Sequence, residues 1–326
     1  MSKVEVKVQF ETITPLWTGD AWMENNEIRP SSLIGSLRFW FEVYYKVCKN
    51  EDLKIDDKGV PKENLEYEKF KKKFYEELDK GFNSIEEVED KILKDLGISI
   101  SSRVFGCTGW KSKIKIKDIC FEEKILKIGE INTNYPVNSR FWIKKTLFND
   151  AHNIKVHHNV NFTLLVNKYW FCNYLKEFFD FYSDKLIIVG GKKSFGLGFV
   201  KIKYISSLNC SSLQTQTDCS NFLNYYRYHE INCIPKIGEN LILGFNFRYF
   251  LRKNESDTTK RRKIFGEHGK ASSVYISNFD SSRDKKLKLI IIKNPFDNNS
   301  NFKESINEIA EKFKNDLKQI CNGGNR

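Results

Sequence analysis

Hydrophobic and polar positions alternate at the start of the chain, with Val4, Val6, Val8 and Phe10 interleaved between Lys3, Glu5, Lys7 and Gln9. A period of two predicts a strand with one buried and one wet face. Pro15 and Gly19 in ITPLWTGDA break it. In RPSSLIGSLRFWFEVYYKVC the period changes, because Leu33, Leu37, Trp40, Phe41, Tyr44 and Tyr45 recur at helical spacing behind Pro30 and two serines. That pattern predicts a helix with a capping signal at its head, and the unpaired N–H groups of such a head suit a phosphate. Residues 50–96 are dense in charge of both signs and read as a mostly helical insertion stopped by Gly97.

Beyond the insertion come the basic alternation KSKIKIKD, a strand in NFTLLVN, an aromatic helix in KYWFCNYLKEFFDFY and a strand in KLIIVGG. The succession strand, helix, insertion, strand, strand, helix, strand is the split βαβ, ferredoxin-like arrangement. A polar stretch, residues 206–221, reads as a linker to a second unit with strands in SSVYISNF and KLKLIIIK and a terminal helix in FKESINEIAEKFKNDLKQIC. RVFGCTGWKSKIKIKD from Arg103 resembles KIFGEHGKASSVYISN from Lys263, which suggests an internal duplication. The expected architecture is α+β: two ferredoxin-like modules in tandem over residues 1–208 and 209–326, the first carrying the helical insertion and a glycine-rich loop at 190–198.

The chain has 326 residues with 54 Lys+Arg against 42 Asp+Glu, a net charge of +12. Such an excess favours polyanions, nucleic acid before membrane, since neither a hydrophobic span nor an apolar leader appears. The reading is of a cytoplasmic protein. Its eight cysteines are scattered without a C-x-x-C pair and read as mostly buried, reduced thiols. Cys210, Cys219, His229 and Cys233 offer four zinc ligands in principle, at a spacing that matches no compact knuckle.

Lys111, Lys113, Lys115 and Lys117 of KSKIKIKD fall on one strand face about 7 Å apart, close to the spacing of backbone phosphates; a solubilising outer face explains them equally well. In GGKKSFGLGFV, Gly190, Gly191, Gly196 and Gly198 let backbone approach a ligand and Lys192 and Lys193 supply charge, the alternative being a glycine-rich hairpin turn. Neither this loop nor GEHGKAS satisfies a Walker pattern, which excludes that route to ATP hydrolysis. None of the five histidines sits in a hydrolase motif, and His157 and His158 read as loop or surface residues.

Taken together, ITPLWTGDA with IRPSSLIGSLRFWFE, then VFGCTG before a basic strand, then GGKKSFGLGFV, resemble the RAMP superfamily of CRISPR-associated proteins, the wording being most like the first subunit of the Cmr-type (type III-B) RNA-guided complex. The resemblance implies RRM-related modules and a non-catalytic, cofactor-free subunit that holds the 3′ part of the guide RNA, helps engage target RNA and assembles with other Cmr-type subunits. The loop carries Lys192, Lys193 and Ser194 where an arginine-rich version is expected, and lysine binds phosphate as a point charge. The expected RNA contacts are Arg29, Arg38, Arg103, Lys111, Lys192, Lys193 and the run Lys260, Arg261, Arg262 and Lys263. Trp22 and Trp110 are candidates for base stacking or for the core. The alternative activity is a metal-independent RAMP endoribonuclease that processes guide RNA with His157 or His268 as base.

Overall fold

The computed structural model describes residues 3–19, 24–53, 63–78, 80–81, 84–206, 208, 210, 219–233, 241–266, 272–280, 285–296 and 305–322. The first unit runs β1 (Lys3–Thr12), α1 (Pro30–Cys48), α2 (Tyr67–Leu78), α3 (Ile85–Asp95), α4 (Ile100–Phe105) and β2 (Ile114–Lys127). It continues with α5 (Arg140–Trp142), a π-helical turn at Ile143–Leu147, β3 (Asn153–Asn167), α6 (Lys168–Trp170), a second π turn at Phe171–Leu175, α7 (Lys176–Tyr182), β4 (Leu186–Ile188) and β5 (Phe199–Ile205). The second unit holds β6 (Tyr226–Asn232), α8 (Gly244–Asn254), α9 (Thr258–Phe265), β7 (Val274–Ile276), β8 (Lys286–Ile292) and α10 (Ile306–Cys321).

Two antiparallel sheets result, with strand orders β2-β3-β1-β5-β4 and β6-β8-β7. Period-two patterning sets the register of the first: Val6 faces Leu164, Val8 faces Phe162 and Phe10 faces Val160 across β1 and β3, all of them buried. Val6, Val8 and Phe10 meet the α1 side chains Leu33, Leu37, Trp40 and Phe41 in the main core. The second sheet repeats the β1-β3-β2 part of the first in β6-β8-β7, with three strands among the described residues.

The two similar segments, from Arg103 and from Lys263, share a local backbone geometry. α4 ends at Phe105 and α9 at Phe265, each followed by a glycine at positive φ, Gly106 at 91° and Gly266 at 73°. Lys113 N–H then bonds the Val104 carbonyl, and Ser273 N–H the Ile264 carbonyl, at 2.9 Å each. The Ser112 hydroxyl bonds the backbone of Ile114, as Ser272 does that of Val274.

Several expectations change. The insertion is helical, and α3 is tied into the fold, since Val88, Ile92 and Leu93 enter the main core and Asp90 pairs with Arg103 and both Tyr169 and Tyr174. The cap residue of α1 is Arg29, without a side-chain cap bond, so the serines after Pro30 serve inside the first turn. The expected strand NFTLLVN is the end of a much longer one, and the distal half of β2 and β3 forms an arm that pairs beyond the end of β1, where Leu16 bridges to His157. His157 and His158 are buried within β3 on that arm, not in a loop. Six cysteines are paired as Cys48–Cys219, Cys172–Cys210 and Cys233–Cys321, which corrects the reading of eight reduced thiols. Cys210, Cys219 and Cys233 are thereby joined to cysteines outside the set considered for zinc, so those four residues do not converge. Much of the 206–221 linker lies outside the described residues. None of the described helices is long and apolar enough to cross a membrane.

Candidate nucleic-acid interface

The loop between β4 and β5 is a single 3₁₀ turn, Lys193–Phe195, entered through Lys192 in left-handed conformation. Its glycines are used internally. A Cβ on Gly190 or Gly191 would run into Trp17, and one on Gly196 would lie 2.2 Å from Asn278 Oδ1 and 2.9 Å from Gly244 N. The approach they permit is therefore to the β1–α1 connection and to the second unit, which corrects the expectation that they bring backbone to a ligand. Phe195 and Leu197 anchor the loop in a small core with Trp17, Ile143, Leu147, Phe148 and Leu243.

What the loop presents outward is charge. Lys192 Nζ donates to the Thr146 carbonyl at 2.6 Å and lies 5.2 Å from the centre of the Trp17 ring. Lys193 Nζ is 5.7 Å from the Phe39 ring. Both side chains are half-buried, and burial lowers both ammonium pKa values, that of Lys193 to about 8. Neither forms an ion pair with a described carboxylate, whereas Lys49, Lys113, Lys117 and Lys203 pair with Glu177, Glu89, Glu5 and Glu11 at 2.5 to 2.7 Å. Two poorly hydrated cations above aromatic rings, with no described carboxylate beside them, are chemically suited to an anion.

The other expected contacts are dispersed. Arg38 is spent inside the fold, its guanidinium donating to Glu42 at 2.7 Å, to the Gly106 carbonyl at 2.8 Å and to Ser102 at 3.3 Å. Burial raises the Glu42 pKa against the pull of Ser101 and Arg38. Arg103 is buried in its ion pair with Asp90 and lies over Tyr174. These two arginines hold α1, α3 and α4 together: Arg103 is buried away from any surface ligand, while Arg38 keeps 17% of its side chain exposed. Arg29 lies at the head of α1, 3.5 Å from Glu27. Lys111 is exposed just before β2. Trp110 is packed against Phe70, donates to the Arg103 carbonyl at 3.0 Å and is covered by Lys113 at 4.0 Å, so it is a structural residue. Trp22 and His268 lie outside the described residues.

Lys260, Arg261, Arg262 and Lys263 occupy α9. Asp257 caps that helix by accepting from the N–H groups of Thr259 and Lys260 at 2.8 and 3.0 Å. Lys260 lies 3.7 Å from Glu255, while Arg262 and Lys263 are exposed. His157 is fully buried against Phe121 with both ring nitrogens lacking a hydrogen-bond partner, and burial lowers its pKa. A general base must reach the proton it removes, and the His157 ring is closed off from any bound strand. Among the described residues no three metal-ligating side chains are grouped.

Sequence reasoning missed Trp17 and Phe39, the rings beneath the loop lysines. It also missed SRFWIKKTLF, residues 139–148, whose interleaved aromatic and basic residues are a signal in themselves.

An antiparallel α/β protein with a loop of uncompensated lysines and a long hairpin arm is the class these features define. The chain belongs to the RAMP superfamily, which residues 9–201 match. It is similar in structure to Cmr1 from Pyrococcus furiosus in its apo form, at 13% identity and a TM-score of 0.45, over 89% of this chain and 88% of that one. It is also similar to oligomeric Cmr4 from Pyrococcus furiosus, at 14% identity and a TM-score of 0.31 over 64% and 100% of the two chains. A chain of a type IV-B CRISPR complex matches at 11% identity and a TM-score of 0.35 over 65% and 94%. No curated protein sequence matches the chain.

Proposed function

We propose that this chain is an RNA-binding, non-catalytic subunit of a Cmr-type (type III-B) CRISPR effector complex, built as two ferredoxin-like modules. It contacts the 3′ part of a guide RNA, helps engage target RNA and has other RAMP subunits as its protein partners. The observation that carries this reading is the pair Lys192 and Lys193, held at the loop between β4 and β5 with no described carboxylate to neutralise them. A net charge of +12 and membership of the RAMP superfamily support it.

Phosphate contacts position a strand without reading its sequence. The purified chain should therefore bind single-stranded RNAs of different sequence alike, with affinity falling steeply as salt rises. Replacing both lysines by alanine should weaken binding to every sequence and reduce the salt slope by about 1.4, since each single-strand contact contributes roughly 0.7. Filter binding across a salt series measures both, and an unchanged slope in the Lys192→Ala, Lys193→Ala variant would exclude the loop as the contact.

A further inference from the structure

The segment Arg140–Lys145 presents two large aromatic rings to water. Phe141 is 63% exposed and Trp142 is 47% exposed, at a centroid distance of 5.3 Å and an angle of 80°. Lone exposed apolar side chains are ordinary on protein surfaces, but two adjacent large rings are not. Cations surround them: Arg140, Lys144 and Lys145 are all exposed, and Lys145 Nζ lies 5.6 Å from the Phe141 ring centre. Residues 139–148 contain no acidic side chain.

The segment is rigid where a floppy loop would be useless. Ile143, Leu147 and Phe148 point inward from the π turn into the small core that also anchors Phe195 and Leu197 of the lysine loop. The Lys192 ammonium bridges the two directly through the Thr146 carbonyl. One core thus fixes the lysine loop and the aromatic pair as neighbouring parts of one surface.

We propose that Arg140–Lys145 is a base-stacking platform for single-stranded RNA, Phe141 and Trp142 offering their faces to unpaired bases while Lys144, Lys145 and Lys192 hold the flanking phosphates. Every base has a π face, so such a platform binds without sequence preference, and a duplex hides the faces it needs. Charge decides between RNA and a protein partner, because three exposed cations against a single nearby acid, Asp150, whose N–H bonds the Lys144 carbonyl at 3.0 Å, favour a polyanion. The inference rests on the RNA-binding reading and adds to it the recognition of bases.

The experiment uses the full chain and two probes, single-stranded oligouridine and inorganic polyphosphate. The Phe141→Ala, Trp142→Ala variant should lose roughly tenfold or more in affinity for oligouridine and keep its affinity for polyphosphate. The Lys192→Ala, Lys193→Ala variant should lose affinity for both. Phe141→Tyr, Trp142→Phe should restore oligouridine binding. Both rings are exposed, so the melting temperature should not move. Unchanged oligouridine binding by the alanine variant overturns the platform, as does an equal loss on both probes. Loss of a co-purifying protein with RNA affinity intact also overturns it and assigns the rings to a protein interface. Failure of the wild-type chain to bind either probe brings down the RNA-binding reading itself.

Discussion

Lys193 shows what a single side chain contributes to this surface. Its ammonium has lost water to the loop and to Phe39 without gaining a carboxylate among the described residues, and burial lowers its pKa from 10.5 to about 8. Between those two values the unfolded chain holds a proton that the folded chain has released. Unfolding then takes up protons, so stability should rise with pH from about 8 to 10.5, and Lys193→Met should flatten that rise. Thermal melts at several pH values across the window test this. A phosphate beside Lys193 favours the charged form, so RNA affinity should fall as pH passes about 8, more in the wild type than in the methionine variant. At this scale the sequence shows which residues are charged and conceals which are already neutralised. Arg38 had a visible partner four residues on in Glu42, but the Asp90 that claims Arg103 is brought in by the fold.

At the scale of elements, amphipathic patterns were readable and capped polar helices were not. β1, α1 and α10 follow from their apolar periods and β8 from its continuous apolar run, and α10 adds a capping box of Ser305 and Glu308. α9 has no apolar period in TTKRRK and reads as a solvated loop. It is a helix because Asp257 satisfies two N–H groups at its head and Ile264 and Phe265 are buried at its tail. Asp257→Ala should therefore cost about 1 kcal/mol of helix stability and open residues 253–263 to proteases that spare the wild type, as limited digestion would show. The sequence offered no sign of the π turns, since such a turn is set by how the inward residues must meet the core. Cysteine pairing was likewise invisible from spacing. Thiol titration of the denatured, unreduced chain should find two reactive groups, Cys107 and Cys120, and eight after reduction.

For the whole molecule, the decisive contact is between the lysine loop and the second unit. The likeness of the two segments was legible because Phe-Gly before a strand stands in both, and each glycine takes a positive φ that other residues avoid. How the two units meet was not legible, for it depends on two glycines far apart in sequence. Gly244, at the first turn of α8, faces Gly196, and a Cβ on it would stand 1.7 Å from the Ile276 carbonyl oxygen and 3.0 Å from Gly196 Cα. Its φ is not in the left-handed region, so the cost of Gly244→Ala is steric alone: α8 must lift away from β7 and carry the loop with it. Overpacking of this kind costs about 1–3 kcal/mol, and the stacked rings of Phe195 and Phe245, 4.7 Å apart, would transmit the shift to the turn that holds Lys193. Gly35 on α1 has open space around it, so Gly35→Ala should instead stabilise by about 0.5–1 kcal/mol through helix propensity. Urea unfolding should thus separate the two substitutions in opposite directions. RNA affinity measured under native conditions should fall for Gly244→Ala and hold for Gly35→Ala. A Gly244→Ala protein with an unshifted urea midpoint would mean that the units are not braced at this contact, and that the loop keeps its shape without the second unit.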